Sequence, residues 1–144
     1  MAHIELEDPA DAASVGVVER GLRAFNDRHR ADSGEHGFNV LLRDEGGAIV
    51  GGCVCFVRWH WLHVDLLWID DAFRGRGFGT ALLRAAESRA IALGCTKSRL
   101  DTASFQAQRF YEALGYRVFG RIDDYPPGHA IIYLWKDLTV TVIA

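Results

Sequence analysis

Several features that identify other classes of protein are scarce in this chain of 144 residues. It has three cysteines, of which Cys53 and Cys55 stand two apart in an apolar run while Cys95 is remote. An odd count without paired spacing fits neither a disulfide framework nor a paired-thiol metal site. On a strand, Cys53 and Cys55 would point to the same face, so we expect buried, reduced thiols in a cytoplasmic protein.

Long apolar runs and an excess of one charge are also missing. No apolar run approaches the ~18 residues of a membrane helix, and the N-terminal segment MAHIELEDPA lacks the apolar centre of a secretory signal. The net charge is -3 and the pI is near 6.0, so we expect no nucleic-acid partner. The composition is typical of a globular protein, and the length predicts one domain over residues 1–144.

The hydrophobic pattern predicts a series of strands and helices in one sheet. Alternating residues predict strands, and apolar residues three or four apart predict helices. The predicted elements are a strand at 4–8, a helix from about residue 11 that fades over the polar stretch 26–37, strands at 38–43, 48–57 and 62–69, a helix at 79–93, a strand at 98–101, a helix at 105–114, and strands at 116–122 and 130–135. The order β-α-β-β-β-α-β-α-β-β predicts a mixed α/β sheet.

The stretch RGRGFGTALL, residues 74–83, places three glycines at the start of a predicted helix. Each glycine costs a helix about 1 kcal/mol relative to alanine, so another requirement must explain them. Between a strand and a helix, glycines let backbone amides approach an anion, and Arg74 and Arg76 would add positive charge. A tight turn packed against a neighbouring strand is the alternative. The stretch lacks the lysine of a P-loop, and its G-x-G-x-G spacing differs from the dinucleotide fingerprint.

The glycine stretch and a second motif together resemble the GNAT superfamily of N-acetyltransferases. Its R/Q-x-x-G-x-G/A signature is matched by Arg74, Gly77 and Gly79. The run FYEALGYRVFG, residues 110–120, is similar to the family's Tyr-Glu-x-Leu-Gly-Phe/Tyr run on the last helix. The resemblance implies the GNAT-type acyl-coenzyme A N-acyltransferase fold. In that fold the strands predicted at 62–69 and 98–101 are parallel neighbours that diverge.

The resemblance implies acetyl-coenzyme A as co-substrate and no metal. The pyrophosphate would lie on backbone amides of the glycine stretch, and the pantetheine arm would pair with the strand before it. A bulge in that strand would aim an amide at the thioester carbonyl. Ser104 stands where many relatives have an asparagine, although it could simply cap a helix. The implied coenzyme-binding residues are Leu67, Trp68, Ile69, Arg74, Gly75, Arg76, Gly77, Phe78, Gly79, Thr80 and Ser104.

The resemblance also implies roles in the chemistry. Tyr111 occupies the usual position of the general acid that protonates the leaving thiolate; the alternative is an ordinary core aromatic. His63 and Asp65 lie on one face of a strand and are the candidates for the base. We prefer His63 because histidine titrates near neutral pH, with Asp65 orienting it or holding the substrate ammonium. A water chain, or structural roles for both residues, are alternatives, and a metal site with His60 is disfavoured.

The acceptor side would be walled by the first helix and the last hairpin. The predicted substrate-binding residues are Phe25, Asn26, Trp61, Tyr125 and His129. With Asp27, Trp59 and the corner Pro126-Pro127-Gly128, the wall is aromatic and mildly acidic, which favours a small cationic amine over a protein lysine. The expected reaction is a direct attack within a ternary complex. The alternative functions are a non-catalytic coenzyme-A-binding module and a nucleotide-binding regulatory module. We expect no membrane partner, and the apolar tail at 138–143 predicts a homodimer.

Overall fold

The computed structural model describes residues 1–30 and 33–139. The chain divides into two compact units after residue 33. The first unit contains helix α1 (Ala12–His29). The second contains the sheet and two helices, in the order β1 (His36–Arg43), β2 (Ile49–Arg58), β3 (Trp61–Ile69), a 3-10 turn (Asp71–Phe73), α2 (Phe78–Ala92), β4 (Lys97–Ala103), α3 (Gln108–Ala113), β5 (Arg117–Asp123) and β6 (Ala130–Asp137). Over the described residues, no helix is long and apolar enough to cross a membrane.

Helix α1 begins where the sequence predicts and continues further. The Asp11 side chain accepts hydrogen bonds from the amides of Ala13 and Ser14 and caps the helix. The strand predicted at residues 4–8 is wrong, because this segment has no strand partner. Glu7 instead accepts hydrogen bonds from the Asp11 amide and the Ser14 hydroxyl, both at 2.7 Å. The segment therefore extends the cap of α1, and its alternation does not reflect a sheet.

The six strands form one mixed sheet in the order β1-β2-β3-β4-β6-β5. All neighbouring pairs are antiparallel except β3 and β4. These two pair only at their first three residues, where Trp61, Leu62 and His63 face 97–99. Beyond this point they diverge, so Leu67 and Leu100 have no pairing across the gap. The predicted mixed sheet with two diverging parallel strands is confirmed.

A bulge changes which side of the sheet β3 buries. Cys55 pairs with Val64 and Val54 with Leu66, so Asp65 has no partner on β2. Before the bulge the even-numbered residues of β3 are buried, whereas after it Leu66 is exposed and Leu67 packs on the core. The inserted residue reverses the alternation, as a classic bulge does. The predicted bulge therefore lies at Asp65, in the part of β3 that no longer pairs with β4.

One face of the sheet packs against α2, which supplies most of the helical core. Its buried residues are spaced three or four apart and are Leu82, Leu83, Ala86, Glu87 and Ala90. Cys53 and Cys55 point to this same face, with their sulfur atoms 3.3 Å apart, and all three cysteines are buried and free. The prediction of buried, reduced thiols on one strand face is confirmed.

The predicted helix at 105–114 begins later, at Gln108, because Gln106 closes a turn after β4. Its backbone amide donates to the carbonyl of Ala103 at 2.8 Å. Its side-chain oxygen accepts from the Ala103 amide at 2.7 Å and from the Thr102 hydroxyl at 3.1 Å. The chain is therefore held in a turn where the sequence pattern alone suggests a helix. Most of the tail that predicts a homodimer lies outside the described residues, which end at Thr139.

A polar network lies buried beneath α2. Lys136 donates to Glu87 at 3.0 Å, and the Tyr116 hydroxyl donates to the other Glu87 oxygen at 2.9 Å. Ser98 lies 2.8 Å from the same hydroxyl. The Lys136 and Glu87 side chains are only 13% and 10% exposed. The stability of each buried charge thus depends on the other, because either one alone would lie buried without a counter-charge.

We therefore expect Glu87→Gln to lower the free energy of unfolding by about 2 kcal/mol, since it leaves the Lys136 ammonium without its carboxylate. Urea denaturation measures this change. Asp123→Asn is the matched control, because Asp123 pairs with Arg121 at 2.7 Å on the exposed surface and should change stability by less than about 1 kcal/mol. Equal losses in the two variants would show that the buried network adds nothing beyond a surface pair.

Candidate active site

The divergence of β3 and β4 opens a cleft of about 1010 Å³. Its walls are the second half of β3, the glycine loop with the first turn of α2, the end of β4, and α3. Several residues that the sequence assigns to the site line this cleft, namely Asp65, Leu67, Trp68, Ile69, Arg74, Gly75, Gly77, Phe78, Gly79, Thr80 and Tyr111. The sequence motifs that lie on separate elements therefore meet in one cavity.

The edge of β3 that faces the cleft carries an unpaired run of backbone. On its other edge, β2 pairs with Leu67, Trp68 and Ile69 through Cys53, Gly52 and Gly51. On the cleft side, β4 has already separated after His63. Such an edge can accept an extended ligand as an added strand. The geometry suits the pantetheine pairing implied by the sequence.

The glycine loop presents backbone amides at the positive end of α2. Gly75 and Gly77 have φ angles of +74° and +82°, a conformation that glycine adopts without strain. The first hydrogen bond at this end of α2 runs from Ala81 to the Gly77 carbonyl. Within the described residues, the preceding amides of Phe78, Gly79 and Thr80 have no acceptor. Free amides at a helix N-terminus are suited to an anion, which is the arrangement that the glycine spacing predicts.

The other residues of this motif serve the protein itself. A side chain at Gly79 would meet the Phe110 ring at 3.3 Å and Ile69 at 3.4 Å, so Gly79 is needed for close packing. The Arg74 guanidinium donates to the Ile69 carbonyl at 2.9 Å and pairs with Asp71 at 3.0 Å. These contacts brace the loop against β3, and the expected role of Arg74 as a phosphate-binding charge stays a prediction.

Arg76 is also placed differently from the expectation. Its guanidinium lies over the Phe73 ring, 5.5 Å from the ring centre, and it is not among the cleft-lining residues. Of the two arginines, only Arg74 therefore joins the backbone amides at the positive end of the cleft.

Tyr111 lies at the inner end of the cleft, and it is more buried than its helical position predicts. The sequence places it on a side of α3 away from the core, whereas it is 7% exposed and packs in the core. Its ring lies 5.1 Å from Phe110 and 6.0 Å from Tyr116. In the described part of the chain, its hydroxyl has no hydrogen-bond partner. Burial, with the nearby Cys53 and Asp101, raises the pKa of Tyr111 to about 12, so the phenol keeps its proton.

His63 and Asp65 lie on the same strand but in different cavities. Asp65 lines the cleft at the bulge, and His63 lines a second cavity beside it. Burial, together with the charges of Arg99 and Arg58, lowers the pKa of His63 to about 4, although Glu35 acts in the opposite direction. Burial, and then two arginines from neighbouring strands, thus disfavour the charged form of His63. Its role as the base stays a prediction.

This shift predicts how stability depends on pH. An unfolded histidine binds its proton near pH 6.5, so between pH 6.5 and 4 the unfolded state binds more protons at residue 63 than the folded state. The free energy of unfolding should thus fall more steeply with acid in the parent than in His63→Gln over this window. Urea denaturation at several pH values measures the difference. Parallel curves for the two proteins would contradict the lowered pKa.

Ser104 is engaged within the protein. Its hydroxyl accepts from the Ala130 amide at 3.0 Å, and its own amide donates to the Ala130 carbonyl at 2.7 Å. These bonds join the end of β4 to the start of β6, and Ser104 is not among the cleft-lining residues. Its predicted contact with the coenzyme arm is not favoured by this geometry. Gln106, which sequence reasoning missed, lines the cleft instead.

The predicted acceptor residues are dispersed. Trp61 lines the second cavity, of about 580 Å³. Tyr125 and His129 lie in the turn between β5 and β6, where the His129 ring packs against Phe105 at 4.9 Å, and neither lines either cavity. Phe25 and Asn26 lie near the end of α1, where Phe25 contacts His29 at 4.8 Å. Their assignment to the acceptor wall stays a prediction.

Sequence reasoning missed the charged residues that β4 contributes. Arg99 and Lys97 line the second cavity, and Asp101 lines the cleft. These three residues alternate along the strand, so a period of two could have placed them on one face. Their partners on β3 could not be foreseen without the register. Among the described residues, no group of three or more histidine, cysteine or carboxylate side chains is arranged to hold a metal ion.

Comparison with known proteins yields consistent matches. Residues 4–116 match the profile described as Acetyltransferase (GNAT) family. The chain is 48% identical over 95 residues to the blasticidin-S acetyltransferase of Streptomyces morookaense, covering 65% of this chain and 70% of that protein. The structure of an acetyltransferase from Bacillus cereus is 30% identical with a TM-score of 0.85, over 94% of this chain and 97% of that chain. An acetyltransferase from Bacillus anthracis in complex with acetyl coenzyme A shares the fold at 19% identity and a TM-score of 0.62, covering 70% and 62% of the two chains.

Proposed function

Since this chain belongs to the GNAT family of acetyltransferases, we propose that it transfers the acetyl group of acetyl-coenzyme A to a primary amine of a small molecule. The observation that carries the proposal is the cleft itself. It joins an unpaired strand edge, a bulge at Asp65 and the free amides of α2 in one cavity. The two substrates would meet at the bulge in a ternary complex, with the amine attacking the thioester directly.

The cleft residues fit acetyl-coenzyme A. The amides of Phe78, Gly79 and Thr80 would hold the pyrophosphate, because they lie at a helix N-terminus with no acceptor in the described residues. The exposed edge of Leu67, Trp68 and Ile69 would pair with the pantetheine arm. The extra residue at the bulge has no register partner on β2, and β4 has already separated, so a backbone amide at the bulge would be placed to bind the thioester carbonyl.

The side chains that line the cleft would take different roles in the reaction. Asp65 and Asp101 both line the cleft and would attract the acceptor's ammonium. After the ammonium loses a proton through Asp65 and solvent, the amine nitrogen bonds to the acetyl carbon and the C–S bond breaks. The Tyr111 hydroxyl would donate its proton to the departing sulfur, and the second proton, which the new amide nitrogen loses, would return through solvent to the phenolate. His63 is neutral at pH 7 but too weakly basic to be the preferred base.

A small-molecule acceptor is supported by one relative. The protein that is 48% identical over 95 residues is named for an acetyl transfer to blasticidin-S. The cavity beside the cleft, at about 580 Å³, is also of a size that holds a small ligand. We extend the small-molecule class to this chain on these two grounds.

A thiol-release screen over diverse amines, with product masses measured, tests the proposal. We expect release of coenzyme A that requires both an amine and the enzyme, with a product heavier by one acetyl group. Binding of acetyl-coenzyme A without release on any amine would instead indicate a coenzyme-A-binding module. A thermal shift with nucleotides but not with coenzyme A would indicate a nucleotide-binding module.

We also propose a homodimer, on the apolar, β-forming sequence of residues 138–143. Sedimentation of the full chain at micromolar concentration measures the mass. A monomeric mass would overturn the proposal.

A further inference from the structure

The second cavity, about 580 Å³, is both aromatic and basic. Its lining residues are Arg58, Trp59, Trp61, His63, Lys97, Arg99, Phe119 and Trp135. Three of the eight are permanent or near-permanent cations, and none is a carboxylate. Among the described residues, these three cations make no salt bridge, although Lys97 is the register partner of Asp137 and helps to lower its pKa, and Glu35 acts on His63. Such a set is suited to an anion attached to a planar group, because guanidinium ions bind carboxylates and stack on aromatic rings.

The aromatic walls are arranged around these charges. The rings of Trp61 and Trp135 lie 6.3 Å apart at an angle of 45°. Arg117 lies over the Trp135 ring at 4.6 Å, and Arg58 over the Trp59 ring at 5.4 Å. These contacts orient the rings and increase the positive potential at the cavity.

A strained turn positions Trp59, one of the residues that line the second cavity. Trp59 and His60 form a two-residue hairpin turn between β2 and β3, with φ angles of +50° and +65°. Asparagine and glycine usually occupy such turns, whereas tryptophan and histidine are strained there. His60 is fixed by hydrogen bonds with Gly94 and Thr96. Trp59 also has a buried indole N–H that lacks an acceptor in the described part of the chain.

Between the cavity and the cleft the charge reverses along β4, and along β3 it changes from a neutral to an acidic residue. On β4, Arg99 lies in the cavity and Asp101 in the cleft; on β3, the corresponding residues are His63 and Asp65. Arg99 and His63 are register partners. Residues two apart on a strand are separated by about 7 Å. One small molecule could therefore place its ammonium at the carboxylates and an anionic group at Arg99.

We propose that the acceptor is a zwitterion, an amine that carries a carboxylate on a planar ring, and that the second cavity binds the carboxylate end. The inference rests on the proposed function and names its substrate class. The ammonium lies between Asp65 and Asp101 at the bulge. The ring lies between the tryptophans, and the carboxylate pairs with Arg99 and Arg58.

Two matched probes test this assignment: 4-(aminomethyl)benzoate and its neutral amide, 4-(aminomethyl)benzamide. They share the ammonium and the ring and differ only in the charge at the far end. We expect kcat/KM to favour the carboxylate by about tenfold or more, the value of one charge-assisted hydrogen bond. Arg99→Gln should remove most of this preference. Arg121→Gln, a surface arginine paired with Asp123, should retain it. The melting temperature of each variant verifies that it is folded.

Equal kcat/KM for the two probes, or a preference that survives Arg99→Gln, would overturn the assignment. If neither probe is acetylated, calorimetric binding in the presence of coenzyme A decides. Binding of the benzoate that is lost in Arg99→Gln would support the cavity assignment even where no amine is acetylated and the proposed function fails. No detectable binding of the benzoate would overturn the assignment, even where other amines are acetylated.

Discussion

Tyr111→Phe should lower kcat at least tenfold and leave the melting temperature within a few degrees. General acid catalysis is worth about 10²–10⁴-fold, and the change removes only the oxygen that would supply the proton. Among the described residues this hydroxyl has no partner, so its loss leaves no buried group unpaired. The raised pKa of about 12 keeps the phenol protonated over the whole working range of pH. Steady-state turnover of a confirmed acceptor measures the effect.

Tyr116→Phe is the matched control, because it removes the same atom from a ring 6.0 Å away. The Tyr116 hydroxyl bonds to Glu87 and lies 2.8 Å from Ser98, so its loss should cost about 1–3 kcal/mol of stability. It should have little effect on kcat, since Tyr116 does not line the cleft. Full turnover in Tyr111→Phe would assign Tyr111 to packing and leave protonation of the thiolate to water. Normal binding of acetyl-coenzyme A is expected in both variants.

Compared with the parent protein, the two variants should therefore show opposite patterns of turnover and stability. One loses rate and keeps stability, whereas the other loses stability and keeps rate. A loss of both in Tyr111→Phe would indicate that its burial in the core, rather than its hydroxyl, is what turnover needs.

The parts of the fold that sequence predicts well are those set by local chemistry. The glycines at 75 and 77 take positive φ angles, and Asp11 caps α1, because these preferences belong to the residues themselves. The order of strands follows from alternation and turn residues. The strand predicted at 4–8 fails because alternation is necessary for an amphipathic strand but does not supply a partner.

The site is less predictable, because its electrostatics are set by the register between strands. Arg58 comes from β2 and Arg99 from β4, and together they lower the pKa of His63 on β3. No pattern in the sequence around His63 predicts that either arginine lies beside it. The burial of Tyr111 likewise depends on how α3 packs on the core. The bulge at Asp65 could be expected from the family resemblance but not from the residues alone.

Gly77→Val should weaken the binding of acetyl-coenzyme A by roughly a hundredfold, because it disturbs amides that would each contribute about 1.5–3 kcal/mol to a phosphate. At a φ of +82° a side chain is strained, and the space that it would enter is open cleft, with no protein atom within 4 Å. That space is where the pyrophosphate would lie. Isothermal calorimetry with acetyl-coenzyme A measures the loss.

Gly128→Val separates strain from ligand exclusion. Gly128 has the same φ of +82° and the same open surroundings, but it lies in the turn between β5 and β6, away from the cleft-lining residues. Both valines should destabilise the protein by a similar amount, about 1–3 kcal/mol, through the same backbone strain. Only the valine at 77 should lower the affinity, since only there does the side chain occupy the anion site. Equal affinities in the two variants would show that Gly77 serves the turn alone, and that the coenzyme is held elsewhere in the cleft.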